Sequence, residues 1–206
     1  MLTIGVIGGV ASGKTQVARC FEQIGLTRLD GDAVGHEVLK QPEVKAALRV
    51  RWGDQILDAD GEIDRSSVAR IVFNQGDGKK QELEFLEQNT HPAIKARLLA
   101  AIEFARERNL KGVVLDAALM IKAGWDEFCD HLVFVDVPAS IRLQRVLDRG
   151  WTDTQFEARE RAQIPLADKR QKADTIIDNC GRLEETCEQV RNLWAILSSQ
   201  VNSADP

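Results

Sequence analysis

The chain has 206 residues and a formal net charge of −5, which leaves room for one core with insertions and disfavours general nucleic-acid binding. Hydrophobic residues make up 44% and charged residues 29%, proportions that exclude a disordered chain. No apolar run approaches the roughly 20 residues of a membrane span, and residues 1–7 lack the basic residues of a signal peptide; we therefore expect a cytoplasmic protein with no nucleic-acid or membrane partner.

Short apolar runs alternate with longer amphipathic segments along the chain. Strands are predicted at 2–7, 27–30, 112–117, 131–137 and 174–179. The clearest runs, GVVLDA and HLVFVDV, are continuous and β-branched, as in parallel strands buried on both faces. The alternation predicts an α/β fold with a five-stranded parallel sheet flanked by helices. The first helix is expected at 13–24 and the last at 182–201. The last helix is predicted to have one buried stripe, formed by Leu183, Cys187, Val190, Trp194, Leu197 and Val201.

Residues 33–110 carry helical patterns and no convincing strand, and they are too many for a single crossover connection. We therefore expect a helical insertion between the second and third strands. A turn is predicted at 58–62, where the sequence is DADGE. A new helix is predicted to begin at Pro92, because proline is tolerated in the first turn of a helix and not in its middle.

Residues 142–172 carry eight basic residues against five acidic ones, a local excess inside an acidic protein. The basic residues are Arg142, Arg145, Arg149, Arg159, Arg161, Lys169, Arg170 and Lys172. Composition alone leaves two interpretations open, solvated helix faces or cations that neutralise phosphate. A phosphate site elsewhere in the chain would favour a basic helical lid, with 1–32, 111–141 and 173–206 forming the core.

Four cysteines occur with wide spacing and no C-x-x-C pair, namely Cys20, Cys129, Cys180 and Cys187. This pattern predicts neither a zinc site nor a disulfide framework. Reduced thiols are the expectation for a cytoplasmic protein.

The segment Gly8–Thr15, GGVASGKT, satisfies G-x-x-x-x-G-K-[ST] between a predicted strand and a predicted helix. Glycines allow the sharp turn, and successive backbone N–H groups together with the helix dipole bind phosphate. The predicted backbone contacts are Gly8, Gly9, Val10, Ala11, Ser12 and Gly13. Lys14 is expected to reach the β- and γ-phosphates and the Thr15 hydroxyl to ligate Mg²⁺. The sequence therefore predicts a P-loop nucleotide-binding protein.

A P-loop is compatible with a GTPase, a motor ATPase or a small-molecule kinase. No N-K-x-D guanine motif is present, and the run VVLDAA ends in a single Asp116 rather than an acidic pair. Asp116 is compatible with support of Mg²⁺. The helical insertion and the basic stretch favour a kinase, one holding the acceptor and the other closing over the phosphates.

A kinase that acts on a hydroxyl needs a carboxylate near the γ-phosphate. The segment LDGD supplies Asp30 and Asp32 at the end of the second strand, the edge where ligands gather in open α/β sheets. Turn and helix-cap roles remain open for both residues. With the P-loop nearby in sequence, Asp32 is the candidate base.

Several segments in order from residue 2 to about 190 resemble the dephospho-CoA kinase family. They are IGVIGGVASGKTQVARCFEQIG, LDGD, HP at 91–92, VFVDVP, RVLDRG and ADTIIDNCG. The resemblance implies transfer of the ATP γ-phosphate to the ribose 3′-hydroxyl of dephospho-CoA, with Mg²⁺ as cofactor. It also implies a P-loop core, a CoA-binding helical domain at 33–110 and a lid at 142–172.

The resemblance also implies roles for individual residues. Asp32 matches the family's catalytic carboxylate, and Lys14 and Thr15 match its phosphate and Mg²⁺ contacts. Arg145 matches the lid arginine that approaches the transferring phosphate. Arg149 and Arg161 match supporting cations of the nucleotide site.

The chain departs from the family pattern at Ala118–Lys122, where P-L-L-[FL]-E is usual and ALMIK stands. A lysine in place of the acid could remove an ion pair or add a phosphate contact. Two alternatives to a dephospho-CoA kinase are therefore kept: a P-loop kinase for another nucleotide-like or small hydroxyl acceptor, and a catalytically inactive nucleotide-binding module. A monomer or weak homo-oligomer is expected.

Overall fold

The computed structural model describes residues 1–73 and 79–203. Residues 74–78 of the predicted insertion and 204–206 of the predicted core lie outside the described residues. The chain divides into two compact units, one formed by Met1–Asp30 with Ala101–Pro206 and the other by Gly31–Ala100.

A five-stranded sheet with all strands parallel organises the first unit, in the order β2-β3-β1-β4-β5. Its strands are β1 (Leu2–Gly8), β2 (Thr27–Asp30), β3 (Gly112–Asp116), β4 (His131–Asp136) and β5 (Thr175–Asp178). The predicted α/β class and parallel sheet are confirmed, with strand ends within one residue of the predicted ones. Side chains of β1, β3 and β4 are buried on both faces, which explains their unbroken apolar runs.

Helices occupy most of the remaining described chain. They are α1 (Lys14–Gln23), α2 (Gly31–Leu39), α3 (Pro42–Trp52), α4 (Arg65–Phe73), α5 (Lys79–Glu107), α6 (Ala139–Leu147), α7 (Asp153–Arg161), α8 (Leu166–Lys172) and α9 (Leu183–Ser203). Short 3₁₀ turns lie at Asp54–Ile56 and Trp125–Phe128. No helix among the described residues combines the length and the apolar character needed to cross a bilayer.

The main core lies between the sheet and the helices α1 and α9. Phe21 of α1 and Val190 and Trp194 of α9 join strand residues there. The predicted stripe of α9 is confirmed from Cys187 to Leu197, but Leu183, at the first position of the helix, is exposed. The side chain of Val201 lies outside the described residues.

The expectation that all four thiols are reduced is wrong for one pair. A disulfide joins Cys20 of α1 to Cys187 of α9, with their Cα atoms 5.1 Å apart. The two residues are 167 positions apart, so only the packing of α9 on α1 brings them together. Cys129 and Cys180 are free thiols.

The expected helix start at Pro92 is also wrong, because α5 continues through it. Pro92 has no N–H to donate to the carbonyl of Gln88. Just before it, the side chains of Asn89 and Thr90 donate to the carbonyls of Phe85 and Leu86 at 2.8 Å each. Packing of the apolar residues beyond the proline outweighs its helix-breaking tendency.

The second unit consists of α2, α3, α4 and the first part of α5. Trp52 and Arg51 of α3 both donate to Glu82 of α5, and Trp52 stacks edge-on against Phe85. The predicted turn is confirmed, with Gly61 N–H donating to Asp58 O at 3.0 Å and a Gly61 φ of 73°.

Candidate active site

The P-loop connects the end of β1 at Gly8 to the start of α1 at Lys14. Ala11 and Gly13 have φ values of 57° and 91°, a left-handed backbone that turns successive N–H groups inward. A Cβ at Gly13 would overlap the side chain of Asn179, so only glycine fits this position. The fold therefore forms the phosphate-binding turn that the motif predicts.

Lys14 and Thr15 occupy the first two positions of α1. The Lys14 Nζ donates to Gly9 O at 2.9 Å, which holds the ammonium across the mouth of the loop. Thr15 is exposed, and among the described residues its hydroxyl has no hydrogen-bond partner. Both side chains fit their predicted contacts with nucleotide phosphate and Mg²⁺.

The loop is also suited to anions. The hydroxyl of Ser12 is fully buried and has no hydrogen-bond partner among the described residues. The Val10 N–H donates at 2.8 Å to Glu160 Oε1, so a carboxylate oxygen already occupies one amide of the loop. These groups fit the phosphate of a nucleotide.

A buried arginine that the sequence placed only among the basic residues supports the loop. The Arg142 Nε donates to Val137 O at 3.1 Å, and Nη1 donates to Val10 O at 3.2 Å. The same Nη1 lies 2.8 Å from Glu160 Oε2. Arg142 thus binds the C=O of Val10 and Glu160 binds its N–H, while the two side chains form an ion pair. No local motif signals this pair, because its members come from α6 and α7.

Arg145, the predicted lid arginine, lies against the loop's carbonyl groups. Its Nη1 is 3.3 Å from both Ala11 O and Ser12 O, and its Nη2 donates to Asn179 O at 2.7 Å. Asn179, the last residue of the fifth predicted strand, donates from Nδ2 to Ser12 O at 2.8 Å. The Thr186 hydroxyl donates in turn to Asn179 Oδ1 at 2.9 Å. The segment after β5 is therefore joined to the P-loop.

An open pocket of about 300 Å³ lies on this side of the loop. It is lined by residues that include Ala11, Gly13, Gln16, Arg145, Arg149 and Asn179. Its size suits a small organic ligand. The structure brings Arg149 to this pocket together with Arg145. Arg161 instead lies exposed on α7 and pairs with Glu157 one turn away, at 3.3 Å.

A much smaller recess of about 10 Å³ lies on the other side of the loop, lined by Lys14, Lys169, Gln163 and the segment 117–122. The altered residues Ala118–Lys122 therefore lie beside the P-loop lysine. Lys169 of α8 is 4% exposed, and its Nζ donates to Gly8 O at 3.1 Å and to Gln163 Oε1 at 2.6 Å.

The charges around Lys169 are mostly positive. Burial, together with Lys14 and Arg142, lowers the pKa of the Lys169 ammonium to about 8, although Glu160 acts in the opposite direction. The sequence offers no signal for this site beyond a basic residue in a basic stretch.

The predicted carboxylates lie at different places. Asp30 ends β2 opposite Asp116 of β3, and Arg28 donates to Asp30 while its Nε lies 3.5 Å from Asp116 Oδ2. Asp116 is buried. Its support of Mg²⁺ remains a prediction. Asp32 lies exposed in the first turn of α2, in the second unit.

The sheet is parallel in the order β2-β3-β1-β4-β5, and a complete P-loop follows its central strand. Basic side chains contact that loop. Together these features define a P-loop kinase. The chain matches the dephospho-CoA kinase family over residues 2–185. It is 37% identical over 191 residues to a dephospho-CoA kinase of Geobacillus kaustophilus, covering 92% of this chain and 93% of that relative. The chain belongs to the dephospho-CoA kinase family.

Solved structures agree with this assignment. The protein TT1252 from Thermus thermophilus superposes with a TM-score of 0.76 and 30% identity, covering 96% of this chain and 97% of that one. A dephospho-CoA kinase from Campylobacter jejuni superposes with a TM-score of 0.72 over 96% of this chain and 98% of its own. Its identity of 23% supports the fold alone. The resemblance stated from the sequence motifs is confirmed.

Proposed function

We propose that the protein transfers the γ-phosphoryl group of ATP to the ribose 3′-hydroxyl of dephospho-CoA, the last step of coenzyme A biosynthesis. One observation carries the proposal: a member of this family keeps a complete P-loop on which Lys14 lies across the loop mouth. We also propose a cytoplasmic enzyme without a nucleic-acid or membrane partner; the net charge of −5 disfavours general binding to nucleic acid. We propose a monomer or weak homo-oligomer.

The P-loop would hold the nucleotide. Backbone N–H groups of Gly8–Gly13 would bind phosphate oxygens, that of Val10 only once Glu160 releases it. Lys14 would span the β- and γ-phosphates. Thr15 would hold Mg²⁺, which would supply positive charge against the phosphate oxygens. The contacts of Arg142, Arg145 and Asn179 with loop carbonyls already hold the loop backbone in place.

Asp32 would orient the acceptor hydroxyl and receive its proton. The residue follows β2 by two positions and stays exposed, as a general base that meets a second substrate requires. The unit Gly31–Ala100, which carries Asp32, is the proposed acceptor-binding domain. Residues 142–172 are the proposed lid, in which Arg145 approaches the moving phosphate and Arg149 and Arg161 add positive potential.

A second candidate function is phosphorylation of another small hydroxyl compound. One observation favours it: the altered segment Ala118–Lys122 lines the recess beside Lys14. Competition between dephospho-CoA, nucleoside monophosphates and shikimate-like acceptors separates the two candidates. An inactive nucleotide-binding module is disfavoured because Lys14, Thr15 and Asp32 are all retained.

The test is ADP release from Mg-ATP with dephospho-CoA, measured for the wild type and for Asp32→Asn. We expect acceptor-dependent turnover that falls about 10²- to 10⁴-fold in the variant, since the amide cannot accept the proton. Glu37→Gln is the matched control. Glu37 is an exposed carboxylate on the same helix as Asp32, and it pairs with Lys40. Tight ATP binding with no turnover on dephospho-CoA would contradict the proposed substrate. Equal losses in Asp32→Asn and Glu37→Gln would contradict the proposed base.

A further inference from the structure

Lys169 and Lys14 have their ammonium groups on consecutive carbonyl oxygens of the P-loop. Lys14 donates to Gly9 O at 2.9 Å and Lys169 donates to Gly8 O at 3.1 Å. One lysine comes from the start of α1 and the other from α8, and both line the same recess. The loop thus carries a second lysine that the P-loop motif does not contain.

The hydrogen bonds of Lys169 leave part of its donor capacity unused. An ammonium has three N–H donors. Among the described residues, Lys169 gives one hydrogen bond to Gly8 O and one to Gln163 Oε1, at 3.1 and 2.6 Å. Gln163 therefore fixes the direction of the side chain, while a third donor remains available on the side of the recess.

The electrostatic surroundings of Lys169 call for an anion. A buried ammonium is normally paired with a carboxylate, since burial of an unpaired charge is costly. Here the neighbouring charged groups are Lys14 from α1, Arg142 from α6 and Glu160 from α7. Glu160 is already engaged by Arg142 and by the Val10 N–H. A phosphate beside Lys169 would therefore add negative charge to surroundings that are mainly positive.

We propose that Lys169 is a direct ligand of the ATP γ-phosphate, acting beside Lys14 on the side of the P-loop that carries the recess. This inference rests on the proposed phosphoryl transfer from ATP. The larger pocket, with Gln16, Arg149 and Asn179, would take the nucleoside, and Arg145 would lie between it and the phosphates, since Arg145 contacts the loop at Ala11 and Ser12. The recess with Lys14 would then lie toward the terminal phosphate, which Lys14 is expected to reach. Lys169 then stabilises the charge of the group that moves, whereas the loop amides hold the phosphates that stay.

Other basic residues of α8 do not share this position. Arg170 is half exposed and pairs with Asp136 at 2.6 Å, and Lys172 is half exposed and pairs with Asp126 at 2.9 Å. Surface pairs of this kind contribute little and are screened by salt. Lys172 therefore provides a matched control on the same helix.

The test compares Mg-ATP with Mg-ADP binding by titration calorimetry on the full chain, without acceptor. In Lys169→Met, which keeps length and packing, we expect the Kd for ATP to rise about 10- to 100-fold, as for loss of a hydrogen bond to a charged group. The Kd for ADP should change less than about threefold, because ADP lacks the γ-phosphate. Lys169→Arg should recover part of the ATP affinity, and Lys172→Met should bind both nucleotides like the wild type.

A purely structural role for Lys169 predicts a different result. Loss of its bond to Gly8 O would then weaken ATP and ADP binding equally and would lower the melting temperature. Equal changes for the two nucleotides, or no change in either, would overturn the proposal. Because no acceptor is present, the result does not depend on whether dephospho-CoA is the substrate.

A second measurement needs only the wild-type protein. A γ-phosphate beside Lys169 should raise its lowered pKa, so ATP binding near pH 8 should take up a proton that ADP binding does not. Calorimetry in buffers of different ionisation enthalpy measures this uptake. Equal proton uptake with ATP and ADP would overturn the proposal even if Lys169→Met does not fold.

Discussion

The P-loop and the basic stretch at 142–172 differ in how their positively charged groups are arranged. In the P-loop, the phosphate-binding groups are backbone N–H groups and a single lysine, and all of them lie within eight consecutive residues. In the basic stretch, only some of the cations reach the loop. Arg142 and Lys169 are 3% and 4% exposed and contact loop carbonyls, whereas the side chain of Arg161 is 74% exposed and pairs with Glu157.

This difference teaches that a run of like charge is not one functional feature. Burial in a protein strengthens each electrostatic interaction, whereas water and salt screen the same charge at the surface. Substitution of the cations that contact the loop should therefore have large effects on ATP binding and catalysis, and substitution of the exposed ones should have small, salt-screened effects or none. Three substitutions test this division, from the largest expected effect to the smallest.

Arg145→Met should have the largest effect. The change removes a guanidinium that contacts three backbone carbonyls around the P-loop and that we propose to approach the phosphate. We expect kcat/KM for ATP to fall about 10²- to 10³-fold. Arg145→Lys should recover little of this, because one ammonium cannot reproduce the planar fork. Arg159→Gln is the control, since Arg159 stacks on Trp151. A loss below about threefold in Arg145→Met would contradict its assigned role.

Glu160→Gln should have an intermediate effect. Gln can still accept the Val10 N–H, but it leaves the buried charge of Arg142 without its carboxylate. We expect a loss of about 1–3 kcal/mol in the free energy of unfolding and a fall of about tenfold in kcat/KM. Urea unfolding and steady-state kinetics measure the two quantities.

A double-mutant cycle with Arg142→Met decides whether the two residues act as a pair. Once both charges are gone, the double variant should be less destabilised than the sum of the single variants. Additive effects would mean that Arg142 and Glu160 support the loop independently.

Arg161→Gln should have the smallest effect. Its exposed guanidinium would contribute only long-range attraction for the nucleotide, so KM for ATP should rise about two- to threefold at low salt. The difference from the wild type should disappear near 0.5 M salt, where the Debye length is only about 4 Å. A salt-independent rise of tenfold or more would mean direct contact and would remove the distinction between buried and exposed cations.

The sequence by itself determined the parallel sheet, the P-loop and the membership of the family. Each of these depends on neighbours along the chain: apolar runs give buried strands, and a glycine-rich turn between strand and helix gives the phosphate site. Asp32 and Arg145 were likewise identified from short ordered motifs, and their catalytic roles stay predictions.

Only the tertiary structure decided which basic side chains contact the carbonyl groups of the P-loop. Lys169 lies 161 positions from Gly8 and Arg142 lies 132 from Val10, so no local pattern relates them. The same holds for the Cys20–Cys187 disulfide, and packing likewise carries α5 through Pro92. The physical reason is common to all of these. Burial and pairing depend on residues that come into contact only after the helices pack on the sheet. Local sequence patterns report only the conformational preferences of residues that are close along the chain.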